Sequence, residues 1–322
     1  MATDLRARLL VALSGDPEGT PGWIRELAEG DDAGHFAEDG AAWTVHGSMA
    51  TLVAGIRALL LQALHPGAMA GVHDWSSYRE DPLGRLAGTV RWVVCVTYGS
   101  TAQAARETAR VGRLHARVAG SYRDGAGAER TYRADDGGLA AWVHLAFTDA
   151  FLTCQQTWGA RGRRQRRRTE RQGAAGRMRG GGIPGGADAY VAEWAIAGRL
   201  MRVEDPPSTA AALRQRLSGY LERGELRGDA RVHDVVAFLR RPPVGVEGAS
   251  ALGYRLLFEG AVATIPAPYR RLLGVRRSPL PVVTATRAVL WIAGRALASG
   301  EGRRAQDWAR LRLRRLEAER PS

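Results

Sequence analysis

The sequence predicts an all-α protein whose 322 residues form a single large helical domain. Three observations carry this. From Ser48 onward apolar residues recur at three- and four-residue spacing, one face of a 3.6-residue period. The runs that carry this period open on Ser, Thr or Asp and close on Gly or Pro, the start and stop signals of helices. A hydrophobic share of 45% supports a sizeable core and excludes a disordered chain.

Residues 1–47 read as a lead-in. Asp4 to Leu13 can form a short helix, ended by the turn-rich SGDPEGTPG. Gly34 to Trp43 fits neither period, and His35 and His46 read as solvated or locally bonded. The first strong helix carries Leu52, Ile56, Leu59, Leu60 and Ala63 on one face. LHPG at 64–67 breaks it, because Pro66 has no N–H and disfavours helix at the residue before it. His65 sits at that break, where it either bonds freed carbonyls or lines a pocket.

The next start signal is Asp81-Pro82, an N-cap followed by proline at the first helical position. That helix runs to about Tyr98 and Gly99 ends it. Arg85 and Thr89 are four apart and share a face, continued by Trp92, Val93 and Val96. Arg85 is either an ion-paired residue or a binder of an anionic group such as a carboxylate. Ser100 and Gln103 give a capping-box pattern. The helix that follows carries Ala104, Thr108, Val111, His115 and Val118 as one buried stripe, with Gly112 close by and Gly120 as its end. His115 is thus a core histidine or a ligand. A polar, hairpin-like DGAGAERTYRADDGG comes next. Asp135 or Asp136 then caps a helix from Leu139 to Trp158, where His144 shares a face with Ala140, Thr148 and Phe151.

Residues 159–186 form an Arg/Gly-rich stretch without apolar period, predicted to be an exposed loop. Helical runs then continue from AYVAEWAIAGRLM, through starts at Ser208 or Thr209 and at Asp229, to VTATRAVLWIAGRALASG. Residues 48–298 therefore read as the main domain and 299–322 as a basic tail, QDWARLRLRRLEAER, predicted as a frayed exposed helix.

Every basic residue is arginine, and the net charge of +13 is local. Gly159 to Arg179 holds nine arginines against one glutamate, and Arg303 to Arg320 seven against three acids. The first patch has no interleaved aromatics, so no specific nucleic-acid partner is expected; weak peripheral membrane contact through loop or tail is compatible with the charge. The two cysteines, Cys95 and Cys154, lie in apolar helical patterns and read as reduced core thiols. With no signal-like h-region and no apolar stretch of membrane-spanning length, a cytoplasmic location is expected. C-x-x-C-H, H-E-x-x-H, Walker A and G-x-S-x-G patterns are absent, and the G-x-G-x-x-G match at 180–185 follows no strand.

Five ordered motifs sharpen this picture. They are G-x-R-A-L-L-L-Q-A-L-H-P at 55–66, D-P-x-x-R-L-x-x-T at 81–89, T-Y-G-S-x-x-x-A at 97–104, H-x-R-V-x-G at 115–120 and Y-x-A-D-x-x-x-L-x-x-W-V-H at 132–144. Together they resemble the MpaB-type oxygenase family, which shares its catalytic domain with the latex-clearing rubber oxygenases. The resemblance implies a globin-like helical core that binds haem b non-covalently, with dioxygen as co-substrate. It implies His115 as the iron ligand and Arg85 and Thr89 beside the haem, bonding a propionate or the distal ligand. It places His144, the match to its W-V-H histidine, near the pocket, so that Arg85, Thr89 and His144 are the candidate catalytic residues; His65, from its place at the helix break, joins His115, Arg85 and Thr89 as a candidate haem contact. The implied activity is oxidation of a small apolar substrate, isoprenoid or otherwise unsaturated, by cleavage of a carbon–carbon double bond. Gly88 stands where the latex-clearing proteins carry a distal lysine, and Met69 to Trp75 offers only His73 and Asp74 in place of their upstream glutamate. A haem-binding protein without turnover, for sensing or storage, and a basic surface-binding helical module are the rival functions.

Overall fold

The computed structural model describes residues 7, 10–11, 14–75, 81–124, 127–159, 182–242, 246–298 and 304–319. Among them are fourteen α-helices and one two-stranded sheet, so the all-α expectation holds. The helices are α1 (Gly22–Arg25), α2 (Ala41–His46), α3 (Thr51–Gln62), α4 (Pro66–Trp75), α5 (Pro82–Tyr98), α6 (Thr101–His115) and α7 (Gly137–Trp158). After them come α8 (Gly186–Leu200), α9 (Ala210–Glu222), α10 (Ala230–Arg240), α11 (Gly248–Thr264), α12 (Ala267–Leu272), α13 (Val282–Ala298) and α14 (Ala305–Ala318).

The core is built on α3 and α7, which run antiparallel. Trp142 Nε1 near the start of α7 donates to Gln62 O at the end of α3, at 3.1 Å. Further along, the fully buried Arg57 meets Asp149 at 2.6 Å. Removing either partner of such a pair strands a buried charge, at a cost of about 3–5 kcal/mol. The LHPG break predicted after α3 is present, and α4 leaves at 106° to it. The polar loop after α6 is a hairpin, β1 (Ala119–Arg123) against β2 (Glu129–Arg133), antiparallel with Ser121 opposite Thr131. It packs on α4, where Gly67 and Gly71 admit it. A Cβ at Gly67 would lie 3.0 Å from the Tyr122 ring and one at Gly71 3.3 Å from the Tyr132 ring.

The caps read from the sequence are used. Asp81 accepts from Gly84 N, Asp136 from Gly138 N, Thr209 from Ala212 N and Asp229 from Val232 N. Ser100 accepts from Gln103 N, but the Gln103 amide donates to Trp23 O at 3.0 Å instead of closing the capping box. Helix α6 ends at His115, earlier than Gly120, because the chain turns there into β1.

The tail departs from its expectation. Helix α14 is docked, not frayed. Arg312, fully buried, donates to Leu27 O and Tyr98 O, each at 2.8 Å, and to Ala33 O at 3.4 Å. Ala309 joins Ile24, Leu27, Trp43 and Tyr98 in a second hydrophobic cluster. A guanidinium with five donors can close several carbonyls at once, which fixes the chain ends of the lead-in and α5 to the tail. Of the predicted 159–186 loop, residues 160–181 lie outside the described residues. Cys95 and Cys154 are both free and fully buried, as expected for core thiols.

Candidate functional site

Helices α5 and α6 are locked together before they meet the rest of the fold. Glu107 of α6 is buried between Arg91 and Arg110, bonding Arg91 directly and Arg110 Nε at 2.7 Å. Those two cations hold its carboxyl below the usual carboxylate range against the opposing effect of burial. Trp92 Nε1 donates to Thr108 Oγ1 at 3.2 Å, and Arg110 Nη2 donates to Gly88 O at 3.2 Å. These bonds set the α5 face that carries Arg85 and Thr89 against the α6 stripe that carries Val111 and His115.

The stripe itself differs from its prediction. Ala104 is fully buried, but Thr108, Val111, His115 and Val118 are only half-buried and Leu114 is 51% exposed. The helix buries its first turns on α5 and opens along its last two. Three half-buried residues on α7 (Ala140, Val143 and Phe147) lie at helical spacing on one face, next to the fully buried Trp142 and Ala146. The fold thus carries apolar faces that its own helices cover incompletely.

His115 lies within electrostatic reach of the Arg85 guanidinium on α5 and of Asp135 just before α7. Burial, then the Arg85 charge, lower its pKa from the ordinary histidine value, while Asp135 opposes them. The neutral imidazole, whose ring nitrogen carries a free lone pair, is therefore the resident form at pH 7. Thr89 Oγ1 donates to Arg85 O at 3.3 Å, and its side chain is exposed at the same edge. Arg85 and His115 are thus within electrostatic reach across α5 and α6, and Thr89 lies one turn from Arg85 on α5.

The other two predicted residues are placed elsewhere. His144 faces α8, where a Cβ on Gly198 would lie 2.9 Å from its Cε1, and Pro206 flanks the same contact. Its Nε2 is buried without a hydrogen-bond partner. Burial, then the charge of Arg199, lower its pKa to about 4. His65 Nδ1 accepts from Ala68 N at 3.4 Å, capping α4, and its ring packs between Trp142 and Tyr220. Of the two readings of His65, the local bond is the one seen: a helix that starts at Pro66 leaves its first-turn amides without an intrahelical partner, and the imidazole accepts from that of Ala68. His73 and Asp74 pair at 3.0 Å, with Tyr132 OH donating to Asp74 at 3.3 Å.

One residue was undervalued in the sequence. His46 is neither solvated nor peripheral. Its ring lies within 4.2–5.8 Å of Trp194, Phe151, Phe147 and Tyr190. Thr97 Oγ1 donates to Val93 O at 2.7 Å, so His46 Nδ1–H must be the donor to Thr97 Oγ1, at 3.2 Å. That leaves Nε2 to accept from Tyr190 OH at 3.1 Å. Burial lowers the His46 pKa to about 3, which keeps this tautomer neutral. Trp92, Trp194 and Phe147 extend the same aromatic cluster toward the α5 face. The only sequence signal was its place three residues after Trp43 in GAAWTVHGS, a helix too short to show a period.

Among the described residues, no group of three or more His, Cys, Asp or Glu side chains is arranged to hold a bare metal ion. The donor set is instead one imidazole, one guanidinium and apolar surface. No curated protein and no solved structure matches the chain. A family model does match, over residues 43–298, and its description is ER-bound oxygenase mpaB/B'/rubber oxygenase, catalytic domain. The chain therefore belongs to the mpaB/rubber oxygenase family, and the helices that bring Arg85, Thr89 and His115 together are part of an oxygenase catalytic domain.

Proposed function

We propose that the protein is a haem b-dependent oxygenase that uses dioxygen to oxidise an apolar, unsaturated small molecule, with cleavage of a carbon–carbon double bond. The observation that carries this is the donor set. A bare ion needs several protein ligands, whereas a haem brings four nitrogens of its own and asks the protein for one more, an anchor for its carboxylates and an apolar face. His115, Arg85 and the half-open surfaces of α6 and α7 supply those three things.

In this reading His115 presents a neutral ring nitrogen, kept so by its lowered pKa. Arg85 pairs with a propionate, which also offsets the repulsion it exerts on a protonated His115. Thr89, held on Arg85 O, offers a hydroxyl at the same edge. The haem, when bound, supplies the redox chemistry that activates dioxygen. Ala140, Val143 and Phe147 provide apolar surface that excludes water and suits a lipophilic substrate. Gly88, just before Thr89, carries no side chain, so this chain would offer the haem no lysine from that position. His144 and His65 support the helices behind the site.

The test is oxygen consumption by haem-loaded protein. Dioxygen uptake that depends on an added polyisoprene or carotenoid-like substrate, with carbonyl products, is the expected result. Haem uptake with no substrate-dependent oxygen consumption across such substrates would leave the rival reading, a haem-binding protein without turnover.

A further inference from the structure

Four large hydrophobic side chains stand out of the fold at its far end. Leu252, Leu280, Trp291 and Ile292 are 60%, 69%, 63% and 51% exposed. Helices α11 and α13 pack antiparallel: Thr286 Oγ1 donates to Leu256 O at 2.9 Å, and a Cβ on Gly253 would lie 3.6 Å from Val289. This places Leu252 beside the half of α13 that carries Trp291 and Ile292. On α13 the residues Thr286, Leu290, Ala293 and Ala296 form the buried stripe. Thr284, Arg287, Ala288, Trp291, Ile292, Arg295 and Ala298 are its exposed residues. An amphipathic helix with two large apolar residues on its outer face departs from the usual soluble pattern.

The charge around these residues has one sign. Arg255, Arg276, Arg277, Arg287 and Arg295 are all exposed, and residues 276–298 contain no carboxylate. Over residues 247–298 there are seven arginines against two glutamates. Of the two, Glu259 faces Arg240 at 3.6 Å and Glu247 sits at the N-cap of α11. Arg295 lies over the Trp291 ring at 5.1 Å, so cation and apolar ring occupy the same spot. Trp158 Nε1 donates to Val283 O at 2.9 Å and Arg287 Nη2 to Thr157 O at 3.0 Å, which ties the end of α7 to α13.

We propose that this face of α11 and α13 is a docking surface for an anionic lipid bilayer. Trp291, Ile292, Leu252 and Leu280 would enter the boundary between headgroups and acyl chains, and the arginines would meet lipid phosphates while their stems cover apolar surface. Charge selects this occupant. Two copies of the face would set arginine against arginine, which disfavours self-association. The proposal rests on α11 and α13 alone; in the tail, Arg312 is committed to the core. The proposal stands independently of the haem.

The experiment is co-sedimentation of the full chain with vesicles of phosphatidylcholine alone and of phosphatidylcholine mixed with phosphatidylserine. Binding is expected only with phosphatidylserine and is expected to fall as salt is raised. Trp291→Glu/Ile292→Glu should weaken it about tenfold or more, because a charge replaces the inserting groups. Arg255→Gln/Arg295→Gln should weaken it by a smaller factor and flatten its salt dependence. Both variants change exposed residues only, so unchanged thermal melts confirm that the fold is intact. Equal binding of wild type and the Trp291→Glu/Ile292→Glu variant would overturn the proposal, as would binding abolished only by deletion of residues 161–179. Absence of vesicle binding together with a concentration-dependent dimer lost in the same variant would overturn it in favour of a protein interface.

Discussion

His144 and His46 are neutral because burial disfavours the imidazolium, with pKa values lowered to about 4 and about 3. In the unfolded chain each returns to about 6.5. The unfolded state therefore binds more protons below that pH, and folding stability falls as pH drops from about 6.5 toward about 4. Stability above about 6.5 is unaffected by these groups. His144→Leu removes one of them together with an Nε2 that has no partner. The variant should lose less stability than wild type between pH 6.5 and 4, as read from urea midpoints, and should be no less stable at pH 7. A steeper acid loss in the variant would contradict the placement of His144. The same residue shows what sequence could and could not give. Its helix and face were legible from period and caps. Its true neighbour, Gly198, lies 54 positions away and leaves no local trace. His46 was misjudged for a related reason: Thr97, Tyr190 and Trp194 reach it from two distant helices.

At the scale of elements, the helix starts at Asp81, Ser100, Thr209 and Asp229 were readable because each cap bonds the amide three residues on. Long-range caps were not. Helix α2 begins at Gly40, which has no side chain to offer, and Glu193 of α8 reaches across to accept from Ala41 N at 3.2 Å and Ala42 N at 2.7 Å. The contact between α7 and α8 depends on close approach at Gly198. Gly198→Ala should destabilise the fold by about 1–3 kcal/mol, since the new Cβ would lie 2.9 Å from the ring of His144 and 3.0 Å from Pro206 Cβ. Chemical denaturation measures this, and the cost should shrink when Gly198→Ala is combined with His144→Ala. Additive effects of the two changes would show that they do not touch.

For the whole molecule, no single described helix is long and apolar enough to cross a membrane; α3 and α4 pass that test only as a pair bent by 106°. The fold class and the family domain were legible because both rest on repeated local signals: period, caps and ordered motifs spread over a long stretch. The docking of α14 was not, because a run such as QDWARLRLRRLEAER looks polar until Arg312 is seen closing Leu27, Ala33 and Tyr98 carbonyls. The site falls between these cases. Arg85 and Thr89 share a face by spacing alone, but their meeting with His115 depends on how α5 and α6 are locked by Glu107 and Trp92. The proposed haem is what would make one purpose of the half-covered α6 stripe, the guanidinium and the neutral imidazole. The most direct test is the absorption spectrum of protein produced with haem supplied, wild type beside His115→Ala. A Soret band with a haem b pyridine haemochrome in the wild type, lost or strongly shifted in the variant while its fold is retained, is the expected result. A folded wild type that takes up no haem, or a variant whose spectrum is unchanged, would contradict the assignment of His115 as the haem ligand.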